Sequence, residues 1–140
     1  MSSRIVVDTS VIVKWLNQTN EVDLDKADQI MELALKGEIE LFAPELAKYE
    51  TNNVLLRGKQ LTHIEAQLPL ATLYSLPITF IPESLELAKL TYSLADELVI
   101  TYYDASFLSI ANEFDATLVT ENIKHQGKTD KISVSSLKDY

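Results

Sequence analysis

Short apolar segments with β-strand character alternate with amphipathic helical segments along this chain. Residues 4–8 read as a buried strand rich in Val and Ile, and a helix follows from Thr9 or Ser10 through Trp15. Further strands are predicted at 38–43, 78–81, 116–120 and, more weakly, 132–134. This alternation predicts a three-layer α/β/α fold with a short, mainly parallel central sheet.

Two of the predicted helices are expected to open at prolines, one at Pro44 and one at Pro82. The remaining helices are predicted from the periodicity of their apolar residues and from glycines at helix ends. All predicted helices together span about 9–15, 23–36, 44–57, 62–76, 82–95 and 102–114. No repeat, low-complexity stretch or linker interrupts the pattern. One domain over residues 1–140 is therefore expected.

The composition narrows the classes of function. The chain has no cysteine, which excludes disulfides, thiolate metal ligands and a cysteine nucleophile. No apolar stretch approaches membrane-spanning length and no signal-peptide pattern is present, so a soluble, cytoplasmic protein is expected. The formal net charge of −9 at pH 7 argues against non-specific nucleic-acid binding, which depends on Lys and Arg. A metal-loaded acidic site or a basic partner would offset this charge locally.

Three carboxylates stand where an ordinary domain places apolar side chains: Asp8, Glu50 and Asp104. Asp8 ends the apolar run of the first strand, and the other two share helical stripes with apolar residues. An isolated buried carboxylate costs several kcal/mol unless it is paired, protonated or bound to a cation. Convergence on a divalent cation is the simplest common explanation, and oxygen-only ligands select Mg²⁺ or Mn²⁺.

Each of these acids also has a purely structural explanation. Asp8 is well placed to cap the following helix, and Glu50 could form a buried ion pair with Arg57 two turns later. Asp104 stands in a first helical turn, where the helix dipole favours negative charge. These explanations stay open at the level of sequence.

A second polar segment, Thr120, Glu121 and Asn122, follows the fourth predicted strand. In parallel sheets, ligands bind beyond the carboxyl ends of the strands. Because Asp8 also follows a strand, this segment and Asp8 are expected at the same edge of the sheet.

Four segments in this order resemble the PIN domain family, and within it the small VapC-type toxins. They are VDTSV at 7–11, PELAKYETNNVL at 44–55, YDA at 103–105 and LVTEN at 118–122. The resemblance implies a Mg²⁺- or Mn²⁺-dependent endoribonuclease that hydrolyses RNA phosphodiester bonds as the toxin of a VapBC-type toxin–antitoxin pair. It further implies a homodimer whose partner is a cognate antitoxin protein.

By position, the resemblance assigns catalysis and metal binding to Asp8, Glu50 and Asp104. Ser10 and Thr120 match positions whose hydroxyl groups support the acidic site. Asn122 departs from the pattern, because the family segment usually ends in Asp. An amide brings no charge, so a weaker metal site is expected, with Asn122 as a secondary polar contact.

Other functions remain as alternatives. A PIN-like fold whose weakened site is inert would act as an interaction module without nuclease activity. A haloacid-dehalogenase-type phosphatase needs a second acid where this chain has Ser10, and a receiver domain needs an acidic pair that is missing before Asp8. A dinucleotide-binding domain needs a glycine-rich turn after the first strand. The corresponding segment here, residues 8–10, contains no glycine.

Overall fold

The computed structural model describes residues 3–140. Its strands, numbered β1 to β5 in chain order, are Ser3–Val7, Ile39–Pro44, Ile78–Ile81, Thr117–Thr120 and Val134–Ser136. Its α-helices, numbered α1 to α7, are Thr9–Leu16, Leu24–Leu35, Leu46–Asn53, His63–Ser75, Leu85–Leu98, Tyr102–Glu113 and Ile123–Gln126. A π-helical segment, Val54–Gly58, continues α3.

Within these residues the strands form one five-stranded sheet in the order β3-β2-β1-β4-β5. All neighbouring strands are parallel, with Ile5 of β1 beside Leu41 of β2 and Val7 beside Val119 of β4. Successive side chains of a strand point to opposite faces, yet Ile5, Val6 and Val7 are all buried. Both faces of the sheet are therefore covered, and the predicted α/β fold with a parallel central sheet is confirmed.

Both prolines that were expected to open helices lie before them instead. Pro44 is the last residue of β2, in register with Ile81 of β3, and the next N–H, that of Glu45, donates to the Ile81 carbonyl at 3.0 Å. Proline is tolerated there because no N–H of its own is needed at that position. α5 begins at Leu85, not at Pro82, because the Ser84 hydroxyl accepts the N–H of Leu87 and caps the helix.

Two further differences concern the end of the chain. The last strand is Val134–Ser136, two residues later than predicted, because Val134 pairs with Leu118 of β4. The short helix α7 was not predicted at all. None of the helices in residues 3–140 combines the length and apolar character that a membrane crossing requires.

Candidate acidic site at the carboxyl edge of the sheet

The carboxyl ends of β1 and β4 lie side by side in the centre of the sheet. The N–H of Asp8 donates to the carbonyl of Val119 at 3.1 Å, which extends the ladder by one residue. One step further, the N–H of Glu121 donates to the Ser10 hydroxyl at 3.1 Å. The segment after β4 and the segment after β1 therefore meet at one edge, as the sequence predicts.

Asp8 is both a helix cap and an anchored carboxylate. Its side chain is nearly buried, with 7% of its surface exposed. Its Oδ2 accepts hydrogen bonds from the N–H of Ser10 at 3.2 Å and from the Ser10 hydroxyl at 2.6 Å. Its Oδ1 accepts from Nε2 of Gln126 at 3.4 Å. The capping explanation is correct, and it leaves the carboxylate fixed at the edge of the sheet.

Glu50 projects from α3 towards the same edge and is partly buried. The hydroxyl of Thr9 donates to its Oε1 at 2.8 Å. Burial raises the pKa of Glu50 above its ordinary value; the Thr9 hydrogen bond opposes this, and the negative charges of Asp8 and Asp104 add to it. Within residues 3–140 Glu50 forms no ion pair with Arg57, which is exposed, so the buried ion-pair explanation is wrong.

Asp104 occupies the first turn of α6 and is partly buried. Its N–H donates to the hydroxyl of Thr101, the N-cap residue, at 3.0 Å, so the helix-dipole explanation applies to this acid as well. Asp104 also lines an open cleft of about 500 Å³ together with Thr101, Ile100 and His125. The site therefore has an accessible side beside Asp104.

The three acids share one electrostatic environment without a compensating cation from the protein. In residues 3–140, none of the ion pairs involves Asp8, Glu50 or Asp104. Nor does that part of the chain hold three His, Cys, Asp or Glu side chains already close enough to bind a metal ion together. The oxygen-only donor set and the uncompensated charge fit a hard divalent cation, but the carboxylates are not preassembled into a coordination shell.

The predicted supporting residues act in different ways. Ser10 contacts Asp8 directly. Thr120 does not contact a carboxylate: its hydroxyl donates to Oε1 of Gln126 at 2.7 Å and accepts the N–H of Asn122 at 2.8 Å. The Asn122 side chain forms no capping hydrogen bond to α7 and is partly exposed at the edge. The Thr120 hydroxyl thus reaches Asp8 only through Gln126, and its role in supporting the acidic site stays a prediction.

Sequence reasoning missed two residues that bond to the acids, Thr9 and Gln126. Thr9 is visible in the sequence as a hydroxyl beside Asp8, but its partner Glu50 is 41 residues away. Gln126 is fully buried, and it gave no signal because its segment carried no helical pattern.

Sequence reasoning also missed Lys14, whose side chain is only 1% exposed. Its ammonium group forms ion pairs with Glu21 at 3.0 Å and with Glu121 at 3.1 Å. Burial lowers the pKa of Lys14, but the hydrogen bonds and charges of these two glutamates outweigh burial and raise it. Glu121 is thus turned towards Lys14 and does not replace the acid that Asn122 lacks.

The sequence was compared with models of protein families and with curated proteins. A sequence model of the PIN domain family matches residues 5–131. A comparison with curated proteins finds no match to this chain.

Similar solved structures include VapBC2 from Rickettsia felis, bound to a DNA fragment from its promoter. It is 20% identical, with a TM-score of 0.73 over 95% of this chain and 98% of that chain. PAE2754 from Pyrobaculum aerophilum is 23% identical, with a TM-score of 0.66 over 99% and 92% of the two chains. VapC20 from Mycobacterium tuberculosis, a toxin that cleaves the sarcin-ricin loop, is 17% identical, with a TM-score of 0.62 over 81% and 86%.

These structural similarities establish the fold, which the four sequence segments had indicated. The family match spans most of the chain, including all three acids of the edge. This chain belongs to the PIN domain family.

Proposed function

We propose that this protein is a metal-dependent endoribonuclease, the toxin of a VapBC-type toxin–antitoxin pair. The observation that carries the proposal is the coupling of Glu50 to Asp8 and Asp104, three carboxylates without a cationic partner in residues 3–140. Negative charges that lie close together at one edge of the sheet repel one another and destabilise the fold unless a cation binds between them. Membership of the PIN family and the fold shared with VapC20 support nuclease chemistry in particular.

In this proposal Asp8, Glu50 and Asp104 hold Mg²⁺ or Mn²⁺. A bound ion of this kind neutralises the substrate phosphate and lowers the pKa of an attacking water. The residues of the chain supply orientation: Ser10 holds Asp8 through its hydroxyl, and Thr9 holds Glu50. Because burial raises the pKa of Glu50, we expect metal binding by this carboxylate to weaken as the pH falls into the acidic range.

The partners follow from the same proposal. RNA is the proposed substrate, and the open cleft lined by Asp104 leaves that acid accessible to it. The net charge of −9 favours a cognate antitoxin with a basic segment. A homodimer in the cytoplasm is the expected form of the toxin, by analogy with the family.

A non-catalytic interaction module is the second candidate. Asn122, which brings no charge where the family usually has Asp, favours it. The absence of a preassembled metal-binding group in residues 3–140 points the same way.

The deciding experiment is cleavage of total RNA by purified, antitoxin-free protein with Mg²⁺, with Mn²⁺ or with EDTA. We expect discrete fragments that require the metal and disappear in Asp104→Asn, because that variant removes a ligand charge and keeps the size of the side chain. Asp115→Asn, an exposed acid after the same helix, is the matched control and should cleave normally. If the folded wild-type protein cleaves under none of these conditions, the interaction module becomes the better explanation. Cleavage by Asn122→Asp alone would then identify Asn122 as the cause.

A further inference from the structure

We propose that Gln126 is a positioning residue that fixes Asp8 relative to Asp104; the proposal rests on the metal-binding role proposed for these two acids. Gln126 ends the short helix α7 and is fully buried. Its Nε2 donates to Oδ1 of Asp8 at 3.4 Å and to the backbone carbonyl of Asp104 at 3.3 Å. Its Oε1 accepts from the Thr120 hydroxyl at 2.7 Å.

The surrounding groups determine which way the amide of Gln126 faces. Asp8 Oδ1 and the Asp104 carbonyl are both acceptors, so only the NH₂ end of the amide can lie against them. The Thr120 hydroxyl already accepts the N–H of Asn122, and its own proton is free to reach Oε1 of Gln126. A rotated amide would set its oxygen against two acceptors. The network therefore has one consistent arrangement of donors.

Within residues 3–140, Gln126 is the one side chain whose hydrogen bonds reach both Asp8 and the first turn of α6. Ser10 binds Asp8 Oδ2, and Gln126 binds the other oxygen, so rotation of the carboxylate breaks hydrogen bonds on both sides. The contact with the Asp104 carbonyl holds the start of α6 against the end of β1. Gln126 thereby holds together two elements whose acids, Asp8 and Asp104, are far apart in the sequence.

The test is a titration of Mn²⁺ alone, followed by electron paramagnetic resonance, on wild type and Gln126→Met. Methionine keeps the length and approximate volume of glutamine but neither donates nor accepts strongly. We expect the dissociation constant for Mn²⁺ to rise about 10- to 100-fold, as for other residues that orient metal ligands. Thr120→Val should act in the same direction, because it removes the partner of Oε1, and the double variant should be little worse than Gln126→Met.

Gln29→Met, on the exposed surface of α2, is the matched control and should bind Mn²⁺ as wild type does. If Gln126→Met does not fold, Gln126→Asn replaces it, because an amide shorter by one methylene cannot span from Thr120 to Asp8. Equal Mn²⁺ affinity in wild type and a folded Gln126 variant overturns the positioning role alone. A wild-type protein that binds no Mn²⁺ overturns the proposed function and this proposal with it. A loss of thermal stability without a change in Mn²⁺ affinity shows that Gln126 is only structural.

Discussion

Asp8 and Glu50 differ in how the protein compensates their negative charge. Asp8 accepts hydrogen bonds from the backbone and hydroxyl of Ser10 and from the amide of Gln126. Glu50 accepts one hydrogen bond, from Thr9, and burial beside two like charges raises its pKa. The environment of Glu50 in the folded protein therefore disfavours its charged form.

We expect Glu50→Gln to raise the melting temperature of the metal-free protein at pH 7. The pKa of Glu50 is higher in the folded state than its ordinary 4.5, so its charge destabilises the fold above the folded pKa, and the penalty vanishes below 4.5. Glutamine keeps an oxygen that accepts from Thr9. The advantage of the variant should shrink as the pH falls from 7 to 4, in thermal unfolding with EDTA. Glu113→Gln, at an exposed position, is the control; a wild type more stable than Glu50→Gln at pH 7 contradicts the argument.

Buried charges also connect the elements. Lys14 of α1 forms ion pairs with Glu21, in the loop before α2, and with Glu121, in the loop after β4. Glu21 in turn pairs at 2.6 Å with Lys59, which follows the π-helical segment. Glu121 directly precedes Asn122, which lies at the edge of the acidic site. The ion-pair network therefore connects this edge to α1 and to the residues after α3.

We expect Lys14→Met to lower the free energy of unfolding by about 2–3 kcal/mol. Breaking a fully buried ion pair costs about 3–5 kcal/mol, and the partly exposed partners Glu21 and Glu121 recover some hydration. Urea unfolding measures the loss. Lys36→Met removes an exposed ion pair between the C-cap residue of α2 and Glu32, and should cost less than about 1 kcal/mol. Equal losses in the two variants would show that the buried network adds no stability of its own.

On the scale of the whole molecule, the balance of basic and acidic residues limits how the protein could bind nucleic acid. It has 12 basic and 21 acidic residues, and Lys14 and Lys59 are committed to internal ion pairs. Within residues 3–140 five more cationic side chains pair with acids, so five of the twelve form no ion pair and are available to neutralise phosphates. In the proposed function, recognition of RNA therefore relies more on the acidic edge with a bound metal ion than on a basic surface.

We expect kcat/KM for RNA cleavage at saturating Mg²⁺ to fall less than about tenfold between 50 and 200 mM KCl. Proteins with six to ten phosphate contacts lose about 10³–10⁵ in affinity over that range. Initial rates on one cleavable RNA at several KCl concentrations give the slope. A thousandfold decrease would mean that basic side chains do neutralise many phosphates.

The sequence predicted the parallel sheet and the proximity of Asp8, Glu50 and Asp104, because each leaves a local signal; the metal-binding role of these acids stays a prediction. Asp8 directly follows an apolar strand, and Asp104 begins an apolar helical stripe. Pro44 was misassigned because a strand end and a first helical turn both accept a proline without its N–H. Gln126 could not be predicted, since the two acids that it contacts are 118 and 22 residues away and only the folded sheet brings them together.

The strand order has a consequence for synthesis of the protein. β1 is synthesised before its neighbour β4 and before the residues Asp104 and Gln126. A nascent chain on the ribosome that stops before residue 104 lacks one acid of the proposed site. One that stops before residue 117 also leaves an edge of β1 unpaired in the centre of the sheet. The proposed nuclease site can therefore form only after Asp104 and β4 have been synthesised, although Asp8 and β1 are present from an early stage.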